Sequence, residues 1–286
     1  MTIAHWISWI KDSTTTNAKI PFHIALIADG NRRWARSIGV TDQVGHMAGS
    51  IALSEVLFRA YDWDVHMFSV YGLSTENIKE RSRKELDGVE TVFSDFANEL
   101  ILHEYKKVEK YGIKVNWAGD RSLVRPYAGR CLEELEKATK DYYKHELNLC
   151  IGYGGQDEIN RAFFRMVKDL RESNIDVLNL SSETRRNLLP LYLDIPTPVD
   201  ILIRPGGDNR ISNFLLWQSS YAELCFQEKY LPDLTESDID YAITRYSITE
   251  RPIGGERKKT EKKILTDLGL PGLLFGTLSD ILKRRR

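Results

Sequence analysis

Four short segments of this 286-residue chain place acids, arginines and glycines together in a way that suits phosphate chemistry. The first is Asp29-Gly30-Asn31-Arg32-Arg33-Trp34. The last is Arg204-Pro205-Gly206-Gly207-Asp208-Asn209-Arg210, with Ser212 close behind. Between them lie Ser74-Thr75-Glu76-Asn77 and Gly152-Tyr153-Gly154-Gly155-Gln156. Guanidinium groups, and backbone N–H groups beside glycine, are donors matched to phosphate or diphosphate oxygens. The carboxylates Asp29, Glu76, Asp208 and Glu223 would suit Mg²⁺, which takes one or two carboxylates and fills its shell with phosphate oxygens and water. The sequence has no GxxxxGK[ST] and no GxGxxG after its first apolar run, so nucleotide hydrolysis and dinucleotide binding lose ground. The six histidines form no HxH or HExxH, and the three cysteines form no CxxC. A zinc site built on those side chains is not expected.

Each segment follows a short apolar run rich in β-branched or aromatic residues: 22–28, 65–71, 147–151 and 199–203. A further run, 113–118, leads into Gly119-Asp120-Arg121. Helical periodicity fills the intervals at 46–61, 83–110, 126–144, 157–171 and 181–192. Strands separated by crossover helices predict βαβ units and a mostly parallel sheet. Ligands of open α/β sheets bind outside the carboxyl ends of the strands. The polar loops all fall on that edge, which is the expected site. Within 83–110 the stripe Leu86, Val89, Val92, Phe93, Phe96, Leu100 and Ile101 reads as the core face of a helix. The same stripe could wall a lipid tail.

Charge and composition narrow the classes further. Forty basic residues stand against forty-one acidic ones, for a formal charge of −1. A nucleic-acid binder usually carries a basic excess, so no nucleic-acid partner is expected. No window reaches the ~18 uninterrupted apolar residues of a membrane span, and no signal-peptide pattern opens the chain. A cytoplasmic protein is expected. Residues 1–20 read as an amphipathic arm and linker, with Ile3, Trp6, Ile7 and Ile10 near helical spacing. Residues 257–286 form a charged and apolar tail with a basic end. Such a tail suits packing on a neighbouring surface or peripheral contact with an anionic membrane.

Taken together, the motifs resemble those of the cis-prenyltransferase family, the undecaprenyl diphosphate synthase-like enzymes. The segment 23–35, followed by Gly45-His46-Met47-Ala48-Gly49, is similar to the family's first signature. Residues 204–218 and Tyr221-Ala222-Glu223-Leu224 are similar to its last. The likeness spans 21–256 and implies a single α/β domain whose mostly parallel, six-stranded sheet is flanked by helices. It implies a homodimer that joins an allylic prenyl diphosphate to isopentenyl diphosphate, with a Z double bond in the product. By the same resemblance Asp29 would govern Mg²⁺ and the departure of the allylic diphosphate, held by Gly30, Asn31, Arg32, Arg33 and His46. Asn77 would position the reacting carbons or the proton to be removed. Arg204, Arg210 and Ser212 would grip isopentenyl diphosphate, and Trp34, Ser74 and Glu76 complete the substrate-binding set. Glu223 would finish the metal site across the dimer interface.

The chain departs from the usual pattern at Asp42, Ile78, Glu80, Gly152, Pro205 and Asp208. Most of these positions surround substrate grip. Two alternatives therefore stay open. One is a non-head-to-tail coupling between allylic diphosphates, and the other is a non-catalytic subunit of a prenyltransferase complex.

Overall fold

The computed structural model describes residues 20–80 and 104–249, with scattered helical positions between 86 and 100. The N-terminal arm, the C-terminal tail, and Val89, Val92, Phe93 and Ile101 of the apolar stripe lie outside the described residues. Six parallel strands form one sheet in the order β3-β4-β2-β1-β5-β6, giving an α/β fold. They are β1 (His23–Ile27), β2 (Met67–Ser74), β3 (Ile113–Ala118), β4 (His145–Tyr153), β5 (Ile201–Arg204) and β6 (Glu223–Phe226). Every residue of β1 is buried, as its unbroken apolar run requires of a central parallel strand. From β1 the chain places β2 beside it, then β3 at the far edge and β4 between β3 and β2, and returns to add β5 and β6 on the other side. That reversal of strand order is where open α/β sheets place their crevice.

Helices occupy the crossovers. α1 (Asn31–Ser37) and α2 (Asp42–Asp62) follow β1, and α3 (Thr75–Glu80) follows β2. α4 (Tyr105–Tyr111) precedes β3, α5 (Pro126–Thr139) precedes β4, and α6 (Gly155–Glu172) follows it. α7 (Ser182–Leu188) and α8 (Glu236–Ile248) follow. Local chemistry sets their ends. The Thr41 hydroxyl accepts from the Val44 N–H at 3.4 Å to start α2, and Pro126 sits in the first turn of α5. α4 stops at Gly112, whose φ of 59° is the left-handed conformation that closes a helix. The predicted helix 83–110 is not continuous: Glu104 lies outside helical geometry and caps α4 afresh.

Within residues 20–156 and 197–247 the core is made by Ile24 and Leu26 of β1, Phe68 and Val70 of β2, and their neighbours on β3, β4 and β5. The opposite face of the strands carries a buried polar row. The ring of His23 has Nδ1 at 3.2 Å from the Thr197 and Pro198 carbonyls and Nε2 at 2.7 Å from Ser69 Oγ. The Asn148 amide donates to Ser69 Oγ at 3.1 Å, and the Asn116 amide donates to Asn148 Oδ1 at 3.1 Å. Residues 157–196 form a second compact unit. There Leu170, Leu180 and Leu188 pack together, and Arg161 bonds Asp157 at 2.7 Å and Asp194 at 2.7 and 3.1 Å.

Candidate active site

The carboxyl ends of β1, β2 and β5 surround a cavity of about 680 Å³. Ile27, Leu53, Val70, Phe96 and Leu149 are among its apolar lining side chains. The rim is charged. β1 delivers Asp29, whose Oδ1 accepts from the Gly30 N–H at 2.7 Å and from an Arg33 N–H at 3.0 Å. Its Oδ2 accepts from Arg204 at 2.8 Å. Burial alone would raise the Asp29 pKa, but the Arg204 and Gly30 hydrogen bonds and the two guanidinium charges hold it below the ordinary carboxylate range.

Glycine is needed where this loop turns. Gly30 caps α1 with φ 96°, and a Cβ there would lie 2.7 Å from the Tyr230 ring. The Arg33 guanidinium donates to the Gly206 carbonyl at 2.6 Å, and a Cβ on Gly206 would lie 2.7 Å from that guanidinium. The first and last motifs of the sequence are thus built directly against each other.

β5 ends on Arg204, whose side chain is only 5% exposed. It donates to the Arg210 carbonyl, to Ser212 Oγ at 2.7 Å and to Asp208 Oδ2 at 3.2 Å. Its Nε finds no acceptor among the described residues. Arg210 joins Asp208 at 3.0 Å from the solvent side. Three guanidinium groups therefore share two carboxylates, and the cluster keeps a net positive charge for an anionic ligand.

Asn31 and His46 form a second part of the rim. The Asn31 amide donates to His46 Nδ1 at 3.3 Å, which leaves Nε2 of the ring to carry the proton. α2 comes close enough to clamp Asn31, because a Cβ on Gly45 would lie 2.3 Å from the Asn31 carbonyl oxygen. One on Gly49 would lie 2.2 Å from Oδ1, which is buried without a donor among the described residues. β2 brings Ser74 to the third part, after register shifts around Leu73 that bend the strand end beside Gly72. Ser74 Oγ accepts from the Asn77 N–H at 3.0 Å, and Glu76 and Asn77 line the cavity.

Of the residues expected at the site, Asp29, Asn31, Arg33, His46, Ser74, Glu76, Asn77, Arg204, Arg210 and Ser212 converge on this cavity. Four others do not line it: the Gly30 N–H is spent on Asp29 Oδ1 at 2.7 Å, and Arg32, Trp34 and Glu223 are engaged elsewhere. The Arg32 Nε bonds Asp42 at 2.9 Å, so α2 takes this guanidinium away from the rim. The Trp34 indole donates to Asp233 at 2.8 Å and fastens α1 to the turn before α8. Glu223 begins β6 level with Ile201 and is ion-paired to Arg245 at 2.9 Å. It lies at the amino end of the strands, so one chain does not bring it to Asp29. Among the described residues no cluster of three or more His, Cys, Asp or Glu could hold a metal alone. The donor set instead fits Mg²⁺, a hard ion content with one or two carboxylates and substrate oxygens. Asp208 was legible as an acid near the site, and the structure gives it the central place between three arginines.

A parallel sheet with a basic crevice at its strand reversal and apolar side chains lining the same cavity suits a ligand with an anionic head and an apolar body. Comparison with known proteins narrows this reading. The Prenyltransf family model, for undecaprenyl diphosphate synthases, matches residues 27–254. The tritrans,polycis-undecaprenyl-diphosphate synthase (geranylgeranyl-diphosphate specific) of Thermococcus kodakarensis is 37% identical, covering 83% of this chain and 88% of its own. Isoprenyl transferase 1 of Streptomyces coelicolor is 34% identical, covering 82% and 83%. The crystal structure of lavandulyl diphosphate synthase from Lavandula x intermedia, in complex with dimethylallyl diphosphate, superposes with a TM-score of 0.73 at 27% identity, covering 82% of this chain and 99% of that one. A probable undecaprenyl diphosphate synthase from Campylobacter jejuni gives 0.66 at 29% identity, covering 82% and 99%. The chain belongs to the undecaprenyl diphosphate synthase family, the cis-prenyltransferases that condense an allylic diphosphate with isopentenyl diphosphate.

Proposed function

We propose that the chain elongates a long allylic diphosphate, with the twenty-carbon geranylgeranyl diphosphate as first choice of primer. The specificity printed for the archaeal relatives supports that choice. The observation that carries the reading is the meeting of Asp29, Arg33 and Arg204 at the mouth of an apolar chamber. Asn31, Arg33 and His46 hold the allylic diphosphate, whose carbon chain enters the chamber, while the Gly30 N–H orients Asp29 beside it. Arg204, Arg210 and Ser212 hold isopentenyl diphosphate.

The allylic C–O bond breaks with its electron pair leaving on diphosphate, and the guanidinium groups stabilise the charge that builds there. The double bond of isopentenyl diphosphate attacks the allylic carbon, and loss of a proton creates the new double bond. Ser74, Glu76 and Asn77, which line the cavity, are assigned to the meeting of those carbons. Asp29 would hold Mg²⁺ against the substrate phosphates, with Glu223 contributed by a second copy of the chain in a homodimer. Mg²⁺ would supply Lewis-acid stabilisation of the leaving diphosphate. Arm 1–20 and tail 257–286 stand as segments outside the catalytic domain 21–256, and the tail is the place for peripheral membrane contact by a cytoplasmic enzyme.

Mass spectrometry of products tests the reading. Labelled isopentenyl diphosphate is offered with Mg²⁺ and five-, ten-, fifteen- or twenty-carbon allylic diphosphates, and each allylic substrate is also given alone. Labelled product, greatest from the twenty-carbon primer, is expected. Unlabelled coupled product from an allylic diphosphate alone would favour the second reading, coupling between two allylic diphosphates. The withdrawal of Arg32 onto Asp42 motivates that control. No product in any arm would overturn both and leave the non-catalytic subunit.

A further inference from the structure

Asn213 has no place in the mechanism above, yet it joins three segments of the site. Its Nδ2 donates to Glu76 Oε1 at 2.6 Å, in the first turn of α3 after β2. Its Oδ1 accepts from the Gln156 N–H at 2.9 Å, and its backbone carbonyl accepts from the Gly155 N–H at 2.7 Å, both after β4. The residue itself follows Ser212, which holds Arg204 at the end of β5.

The backbone is bent to achieve this. Ser212, Asn213 and Leu215 have φ of 48°, 61° and 45°, left-handed values that cost non-glycine residues energy and persist where the surroundings enforce them. Space has also been cleared: a Cβ on Gly154 would lie 2.9 Å from Asn213 Nδ2, and one on Gly155 would lie 3.1 Å from its carbonyl oxygen. Glu76 is held below the ordinary carboxylate range; burial opposes this, while its own N–H and the Asn213 amide favour it. The amide thus meets an ionised acceptor, the stronger kind of hydrogen bond.

We propose that Asn213 is a positioning residue that ties Glu76 to the Arg204–Ser212 loop and thereby fixes the spacing between the two diphosphate-binding halves of the cavity. This rests on the prenyl-transfer reading of the site. Removing the tie lets the start of α3 move independently of Arg204, so both halves remain while their registration is lost.

The test exchanges donor and acceptor. N213D sets two carboxylates against each other, whereas N213D/E76Q restores an amide–carboxylate bond in the reverse direction and keeps an acceptor for the Gln156 N–H. N213G keeps the left-handed backbone without the side chain, and guards against a misfolded variant. Expected values of kcat/KM for isopentenyl diphosphate are a fall of about 30-fold or more for N213D and about tenfold for N213G, with recovery of about tenfold in the double variant. KM should carry much of each change, and thermal midpoints should stay within a few degrees of wild type.

Calorimetric binding of inorganic diphosphate is measured on the same proteins, so the tie is read without turnover. A wild-type chain that binds diphosphate but forms no product would sink the prenyl-transfer reading. Wild-type kinetics and binding in N213D, or a double variant no better than N213D in both assays, would sink the role of Asn213.

Discussion

Two groups of polar side chains are built into the same sheet, and they are treated in opposite ways. The row His23, Ser69, Asn148 and Asn116 is buried or half-buried, uncharged and closed on itself. Its hydrogen bonds run in one direction. The carbonyls of Thr197 and Pro198 can only accept, so Nδ1 of His23 carries the proton and Nε2 accepts from the Ser69 hydroxyl. Ser69 is then free to accept from Asn148, and Asn148 from Asn116. The cluster of Asp29, Arg33, Arg204, Asp208 and Arg210 is charged and open. It carries one more cation than anion and leaves Arg204 Nε and Asn31 Oδ1 without partners among the described residues. A neutral network whose side chains bond one another specifies a fold, whereas a charged one with a donor and an acceptor in reserve can receive a ligand.

Substitutions separate the two. The largest effect belongs to D29A, which should cut turnover about 1,000-fold or more while the thermal midpoint changes little, because Arg204 keeps Asp208 and Ser212. Retained turnover would remove Asp29 from the mechanism. The next effect is one of acid. Burial pushes His23 from 6.5 down to about 4, so the unfolded chain binds the extra proton first as pH falls. Stability contributed by neutral His23 is complete above about 6.5 and drains away toward 4, by up to about 3 kcal/mol. Urea unfolding between pH 4 and 7 measures it, and H23N should flatten the slope.

A smaller loss is expected from S69A, which orphans both His23 Nε2 and the Asn148 amide at a cost of about 2 kcal/mol. Its KM values should equal wild type; a change in KM would mean the row is coupled to the site. Smallest is D42N, which loosens an exposed Arg32 pair and should alter stability by less than about 1 kcal/mol. If D42N also tightens diphosphate binding, Arg32 is a ligand that Asp42 restrains.

Much of the arrangement could be read from the sequence, for reasons that also explain the misses. β1 and β5 announce themselves because central parallel strands must be apolar throughout. The cavity rim was legible because glycine, acid and arginine follow those runs. β6 was not located: it is a four-residue edge strand with partly exposed Glu223, Leu224 and Phe226, and so lacks the continuous signal. α1 read as a loop because its cap is a glycine without a side-chain acceptor, and its first residues belong to the binding motif. The long stripe from residue 83 concealed the new start at Glu104, since periodicity continues through a break that only backbone angles reveal. Arg32 and Trp34 illustrate a different limit. Position in a motif gives proximity in sequence, but on a helix neighbours face different ways, and only Arg33 of the three turns toward Asp29. Asn213 had one local signal, an Asn-containing polar pair ahead of an apolar run, of the kind that tolerates left-handed backbone.

The central position of β1 has a consequence for how the molecule is made. β1 pairs on one side with β2 and on the other with β5, and Asp29 meets Arg204 across 175 residues of sequence. A ribosome adding about 5–20 residues per second needs on the order of 10–35 s to produce that interval. Throughout this time one flank of the most apolar strand has no mate and is open to wrong ones. The growing chain is therefore an obvious client for a chaperone until β5 emerges, mates that flank and brings Arg204 to Asp29.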